Sequence, residues 1–174
     1  MPQRFANKTG LGFWLIVGCI ACGNSDTGFK VAFDPSPRSF TDGSAASWLS
    51  FPFPADHRRD DLGHVDLGDF PNPEGRSLID LYTEHANEVL DGFGTNSPVY
   101  FYFPEGIDSS TLPKDALSSL NDDSPLHLVD LTPNSPTYGE HVPLRWEYFL
   151  VEGHYIAPKT LAVAPAWGFP LREN

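Results

Sequence analysis

The chain has 174 residues, enough for one folded domain and an N-terminal extension. Its 23 acidic and 11 basic residues give a formal charge of −12, which argues against nucleic-acid binding, because proteins that bind nucleic acids concentrate Lys and Arg on one face. The same charge argues against electrostatic docking on anionic lipid headgroups. The many aromatic residues predict a packed core, and 17 Pro with 15 Gly divide the chain into short segments typical of mainly β folds.

The N-terminus has the pattern of an export signal. Arg4 and Lys8 form a basic region, and residues 11–20 are almost wholly apolar. This run is too short to cross a bilayer core of about 30 Å, which takes roughly 20 apolar residues in a helix. It has the length of a secretory apolar segment, so we expect a signal peptide at residues 1–18. Its removal would take away two basic residues and bring the formal charge to −14.

The end of this segment, Ile16-Val17-Gly18-Cys19, resembles the lipobox of bacterial lipoproteins. In that family the cysteine is acylated and becomes the new N-terminus. The resemblance implies that Cys19 is the lipidation site and that the protein is exported and anchored to a bacterial membrane, on its periplasmic or cell-surface side. Cys22 is the alternative lipidation site. The chain has no other cysteine, so the alternative to acylation is a Cys19–Cys22 disulfide or an uncleaved apolar N-terminus.

Residues 19–47 are rich in Gly, Ser, Asp and Pro and predict a flexible tether ahead of a domain at residues 48–174. From Trp48 the chain is predicted to be extended, because Pro52 and Pro54 exclude a helix or a central strand. Phe51 and Phe53 share one side of this segment, so we expect their rings to cover a face of the core.

A single amphipathic helix is predicted at residues 76–90, before the strands. Its apolar stripe consists of Leu78, Leu81, Tyr82, His85, Ala86, Val89 and Leu90. Asp80, Glu84 and Glu88 lie on the opposite face, and Gly92 follows the helix end. On the apolar stripe, His85 is expected to be a core or boundary residue.

After the helix, the spacing of apolar residues changes from every third or fourth residue to every second residue. Strands are predicted at residues 98–103, 126–131, 143–150 and 160–164, each bounded by Pro, Gly, Asn or Asp. Several short strands separated by turns predict a mainly β domain of the sandwich type.

Short motifs in this part of the chain resemble the bacterial immunoglobulin-like domains of the SbsA type. They lie at residues 91–98 (DGFGTNSP), 106–113 (GIDSSTLP), 160–165 (TLAVAP) and 169–171 (FPL). The resemblance implies an Ig-like β-sandwich. Residues 51–56 and 66–67 resemble the N-terminal region of bacterial virulence-factor-type lipases, in which such a module precedes a separate α/β-hydrolase domain.

One departure from that family concerns the last strand. Family members continue after Pro-Leu with a T-x-Y-x-V-x-V strand, whereas Leu171 is followed by Arg-Glu-Asn. The resemblance therefore implies a sandwich that lacks its final strand and has an unpaired edge. Either another chain covers that edge or the chain is a truncated relative of a longer protein, and we expect truncation.

Residues 56–66 concentrate groups that are able to bind a metal. The weak candidates are Asp60, Asp61, His64 and Asp66. Carboxylates suit Ca²⁺, and His with carboxylate suits Zn²⁺, but the spacing does not match an EF-hand loop. We therefore expect a solvated loop without a metal, in which Arg58 and Arg59 pair with nearby acids.

A second candidate site is aromatic. Trp146, Tyr148 and Trp167 are weak candidates for an exposed platform that binds sugar or peptide. Alternation along the strand places Trp146 and Tyr148 on one side and Arg145 and Glu147 on the other. Aromatic side chains dominate core burial, so we expect these rings to pack in the core.

No motif for catalysis or for a cofactor is present in the sequence. The G-x-S-x-G nucleophile motif, the phosphate-binding G-x-x-x-x-G-K-[ST] and the dinucleotide-binding G-x-G-x-x-G are all missing, and Ser44, Ser77 and Ser97 have the context of turns or caps. The sequence predicts a non-catalytic cell-envelope lipoprotein module, without a cofactor, that has a structural or binding role toward an envelope protein or polysaccharide. The alternative is an N-terminal accessory fragment of an esterase or lipase.

Overall fold

A computed structural model describes residues 28–34 and 43–171. The elements in these residues are two α-helices, α1 (Ala45–Trp48) and α2 (Ser77–Val89), and three strands, β1 (Val99–Tyr102), β2 (Leu144–Phe149) and β3 (Thr160–Pro165). Short 3-10 helices occupy Asp56–Arg58, Ser109–Thr111 and Ser118–Leu120. Within the described ranges, no helix has the length and apolarity needed to cross a membrane.

The three strands form one antiparallel sheet in the order β1-β3-β2. The central strand β3 is buried along its whole length, and Val163 pairs with Val99 on one side and with Trp146 on the other. This confirms the strands predicted at 98–103, 143–150 and 160–164, and it confirms a mainly β chain with few helices.

The fourth predicted strand, at residues 126–131, does not form. Only Val129 makes a bridge there, with His141, flanked by hydrogen bonds from Val142 N to Leu128 O and from Asp130 N to Glu140 O. Pro125 and Pro133 bracket the segment, and a Pro has no N–H to extend a ladder. The pairing is therefore limited to a short hairpin beside the start of β2.

Each side of the sheet is covered by an apolar layer. On one side the buried residues are Ala45, Trp48, Leu49 and Ala157, with partly buried Phe53, Leu67, Phe70, Tyr100 and Tyr102 against them. On the other side the buried residues are Leu144, Leu161 and Val163, with partly buried Phe101, Phe103, Ile107, Leu112, Leu126, Leu128, Trp146 and Tyr148. Alternate residues of a strand point to opposite faces, which is why Tyr100 and Phe101 belong to different layers.

The folded domain includes residues that the sequence assigns to the tether. Ala32 N donates to Tyr102 O at 2.6 Å, alongside β1. The Ser44 side chain caps α1 by accepting from Ser47 N, and Trp48 at the end of α1 is 4 % exposed. Trp48 is thus helical where an extended chain was predicted, because its large ring reaches the core from this short capped helix.

The rest of the predicted extended segment is partly regular. Phe53 pairs with Tyr100 in an isolated antiparallel bridge, and its ring joins the apolar layer around Trp48, as expected. Phe51 is half-buried and lies against Phe33 and His57. Asp56–Arg58 then forms one 3-10 turn after Pro54.

Candidate functional site

The outward side of α2 carries a contiguous apolar surface, which we call the outer face of α2. Its side chains are between 56 % and 69 % exposed, and they are Leu78, Leu81, Tyr82, His85 and Val89. Residues three and four positions apart share one side of a helix, so these side chains form one stripe. A helix normally turns such a stripe toward the core, and a contiguous exposed apolar patch marks an interaction surface.

The helix packs on the domain through a different side. Its half-buried residues are Ile79, Thr83, Ala86 and Asn87. Asn87 Oδ1 accepts a hydrogen bond from Leu67 N at 2.6 Å, and Leu90 O accepts one from Val65 N at 2.7 Å. These bonds set the rotation of the helix and leave most of the predicted apolar stripe outside. The prediction that His85 is a core or boundary residue is therefore wrong.

Carboxylates border the outer face of α2 along one flank. The sequence predicts Glu84 and Glu88 on the opposite face, which is wrong, because both line a shallow depression in this face beside Leu81. His85 Nδ1 is 3.8 Å from Glu88 Oε2. The third acid of the helix, Asp80, accepts a hydrogen bond from Asn72 Nδ2 at 2.7 Å. The sequence of α2 has no Lys or Arg. The surface is thus apolar with a negative border.

Of the four weak metal candidates, Asp60 and Asp66 accept hydrogen bonds from the backbone of their own loop. Asp60 Oδ1 accepts from Leu62 N at 2.9 Å and His64 N at 2.8 Å, and Asp66 Oδ1 accepts from Gly68 N at 2.9 Å. His64 Nδ1 lies 3.7 Å from Asp60 Oδ2, and Asp61 is exposed. Among the residues that the structure describes, no three His, Cys, Asp or Glu side chains are grouped so that they could hold a metal ion.

The same loop contains a buried arginine that the sequence did not reveal. Arg58 is 2 % exposed, and its Nη1 donates to Asp69 Oδ1 at 2.6 Å while its Nη2 donates to Trp48 O at 2.6 Å. Its neighbour Arg59 is exposed and bonds to the carbonyls of Gly63 and Asp91. Two adjacent arginines in an acidic loop look alike in sequence, and only the tertiary contacts distinguish them.

The aromatic candidates divide into two groups. Trp146 and Tyr148 belong to an apolar layer, where Trp146 Nε1 donates to Pro113 O at 2.7 Å and the Tyr148 hydroxyl accepts from Ile107 N at 3.1 Å. Trp167 is 76 % exposed, and the Arg145 guanidinium lies 4.0 Å from the centre of its ring. The three rings therefore do not form a common platform.

A groove of about 480 Å³ lies between the hairpin near β2 and residues 169–171. Its apolar lining includes Val129, Val142 and Phe169, and its polar lining includes Asp130. Hydrogen bonds from Ser135 Oγ, together with those from Thr132 and Thr137, hold the pKa of Asp130 well below its usual value. This network orders the hairpin turn at one end of the groove.

Two further groups were not foreseen from the sequence. The rings of His127 and His141 lie 4.4 Å apart, on the two sides of the hairpin, and the 13 residues between them in sequence gave no signal of the contact. In the sheet, burial and then the nearby Glu147 carboxylate raise the pKa of Tyr100. Both residues lie opposite Ala162 in the ladder.

The serines that the sequence assigns to turns and caps occupy such places. Ser44 caps α1, Ser77 begins α2, and Ser97 N donates to Gly94 O in a turn. The predicted lipidation sites, Cys19 and Cys22, lie outside the described residues. Comparison of the chain with protein-family models, with curated proteins and with solved structures gave no match.

Proposed function

We propose that this chain is a non-catalytic lipoprotein of the bacterial cell envelope whose folded domain binds a partner through the outer face of α2. The observation that carries the proposal is the exposure of this face. Four of its side chains are large and apolar, and each has more than half of its surface exposed. Fully burying a side chain of this kind contributes about 1.5–3 kcal/mol, and because these side chains are already partly covered, a complementary partner would gain about half of that from each.

The membrane anchor in this proposal comes from the sequence around Cys19. Acyl chains bind a bilayer through about 0.8 kcal/mol for each buried methylene, so the anchor does not require a basic surface patch. This is compatible with an acidic chain. The predicted tether would place the domain at a distance from the lipid, where α2 is accessible to an envelope protein or polysaccharide.

The finer fold assignment is part of the same proposal. We assign the domain to the Ig-like sandwiches of the SbsA type, similar to the N-terminal region of virulence-factor-type lipases. The antiparallel pairing of three short strands supports this assignment. Such sandwiches have many unrelated roles, so the binding function depends on α2 and not on the fold.

Cysteine labelling tests the binding function. In Leu81→Cys, a membrane-impermeant maleimide should label the purified full chain rapidly and the same chain in intact envelopes slowly, because a partner covers α2. Leu117→Cys, at an exposed position away from α2, should react at similar rates in both preparations, with the parent chain as background. Equal labelling of Leu81→Cys in both preparations would overturn the proposal.

The second candidate function is an accessory fragment of an esterase or lipase. It is favoured by a second apolar surface, where Trp167 and Phe169 are exposed beside the groove at residues 169–171 and would suit a further domain. If this function is right, the DNA that follows the codon of residue 174 should encode a T-x-Y strand and a G-x-S-x-G motif. The non-catalytic assignment predicts no hydrolysis of p-nitrophenyl esters, and turnover that a single serine substitution abolishes would contradict it.

A further inference from the structure

We infer that the partner of the outer face of α2 is an amphipathic protein helix that carries Lys or Arg beside its apolar side chains. The inference rests on the proposed binding function and adds the chemical class of the partner. An exposed helix stripe with anchors at i, i+3, i+4 and i+7 is the geometry by which one helix packs against another. Leu78, Leu81, Tyr82 and His85 follow this spacing.

The charge of the partner follows from the border of this face. Glu84 and Glu88 flank Leu81, and the helix has no Lys or Arg to neutralise them. His85 lies beside this border, with its Nδ1 3.8 Å from Glu88 Oε2. Complementary charges at the rim of an interface favour association and exclude wrong partners. A helix with Lys or Arg along one flank would meet these two carboxylates when its apolar side covers the stripe.

The same charges disfavour two other partners that could cover an apolar helix face, namely a second copy of α2 and an anionic lipid surface. Two copies of α2 packed against each other would bring Glu84 and Glu88 of one copy close to the same acids of the other, and like charges at an interface are destabilising. An anionic lipid surface attracts basic segments, whereas this border is acidic. A basic protein helix is the occupant that satisfies both the apolar stripe and its border.

The test uses the full chain and two synthetic peptides of about 14 residues, or four helical turns. Both peptides have Leu at i, i+3, i+4 and i+7. The remaining positions are Lys in the basic peptide and Glu in the acidic peptide. Fluorescence anisotropy should show that the chain binds the basic peptide at least about tenfold more tightly, and that added salt weakens this binding.

Matched variants separate binding at α2 from general attraction to an acidic protein. Glu84→Gln with Glu88→Gln should weaken binding of the basic peptide about fivefold, whereas Asp122→Asn with Asp123→Asn, which removes the same charge from an exposed turn, should leave it unchanged. Leu81→Ser with Tyr82→Ser should weaken binding at least about tenfold, and Leu117→Ser should have no effect.

Three results would overturn the inference. The first is equal binding of the two peptides, or equal effects of the two charge-matched double variants. The second is a dimer of the full chain in sedimentation that Leu81→Ser dissolves. The third is binding to phosphatidylglycerol vesicles that the same substitution abolishes. If Leu81→Cys is protected from the maleimide in envelopes but the basic peptide does not bind the chain, the proposed function stands and only the class of partner is wrong.

Discussion

The Arg58 guanidinium lies over the ring of Trp48, with its central carbon 3.3 Å from the centre of the ring. The same side chain bonds to Asp69 and to the Trp48 carbonyl, so one buried arginine joins α1 to the loop before α2. A buried charge is tolerated when it is paired and hydrogen-bonded, and removing one member of a pair leaves the other uncompensated.

Arg58→Ala should therefore lower the free energy of unfolding by about 3 kcal/mol, because it removes a buried cation and takes the guanidinium away from Asp69, whose side chain is only 14 % exposed. Arg59→Ala, one residue further on, should lower it by less than about 1 kcal/mol, because Arg59 is exposed and its bonds are solvated. Urea denaturation of the two variants measures the difference. Equal losses would show that the Arg58 contacts do not stabilise the domain.

Substitutions on the outer face of α2 should leave stability nearly unchanged. Leu81→Ser with Tyr82→Ser should alter the free energy of unfolding by about 0.5 kcal/mol, because both side chains are already exposed. Leu144→Ala, at a position 1 % exposed, should lower it by about 3 kcal/mol. Thermal unfolding of the purified proteins compares the stability of the two variants with that of the parent chain. A large loss in the α2 variant would mean that this face packs on the domain.

Substitutions of Trp146 and Trp167 should differ in their effect on the free energy of unfolding, because Trp146 is packed and Trp167 is exposed. Trp146→Ala should destabilise the domain by about 3 kcal/mol, because it removes a ring from an apolar layer and leaves Pro113 O without its donor. Trp167→Ala should lower stability by no more than about 1 kcal/mol, since an exposed cation–π contact with Arg145 is its main interaction. A larger loss of stability in Trp167→Ala than in Trp146→Ala, measured by urea denaturation, would contradict the packing of Trp146 and the exposure of Trp167.

Acid should weaken the hairpin that Asp130 organises. The pKa of Asp130 is lowered in the folded chain, so its stabilising contribution is complete above the unfolded pKa of about 3.9 and is lost as the pH falls from there toward the folded pKa. Ser135→Ala removes one of the hydrogen bonds that lower this pKa, and should raise it. NMR titration of the side-chain carboxyl measures the pKa of Asp130 in the parent chain and in Ser135→Ala. An Asp130 pKa that is the same in both chains would contradict this explanation.

The elements that the sequence predicts well are those with a clear apolar period. The alternation in residues 143–150 and 160–164 specifies β2 and β3, and three- and four-residue spacing specifies α2 to within a residue at each end. The prediction at 126–131 is wrong because the segment pairs only around Val129 and His141, a pairing too short to make a strand, and alternation in the sequence does not indicate how far a pairing extends.

The candidate site could not be predicted, because it depends on how α2 is rotated. The apolar stripe and the packed side, which contains Ile79 and Thr83, both have helical spacing, and apolarity alone selects the stripe for the core. In the structure the packed side includes Asn87, whose Oδ1 accepts a hydrogen bond from Leu67 N, and a contact between residues 20 positions apart leaves no local pattern in the sequence. The burial of Arg58 likewise depends on Trp48 and Asp69, which no local pattern connects.

A binding module that presents α2 from the membrane must be exported and acylated. Intact-mass measurement of the native product, extracted from membranes, tests this most directly. Acylation at Cys19 predicts a chain that begins at residue 19 and carries the added mass of its lipid, and Cys19→Ala should abolish both changes whereas Cys22→Ala should not. A product that retains Met1 and carries no lipid would contradict the proposal.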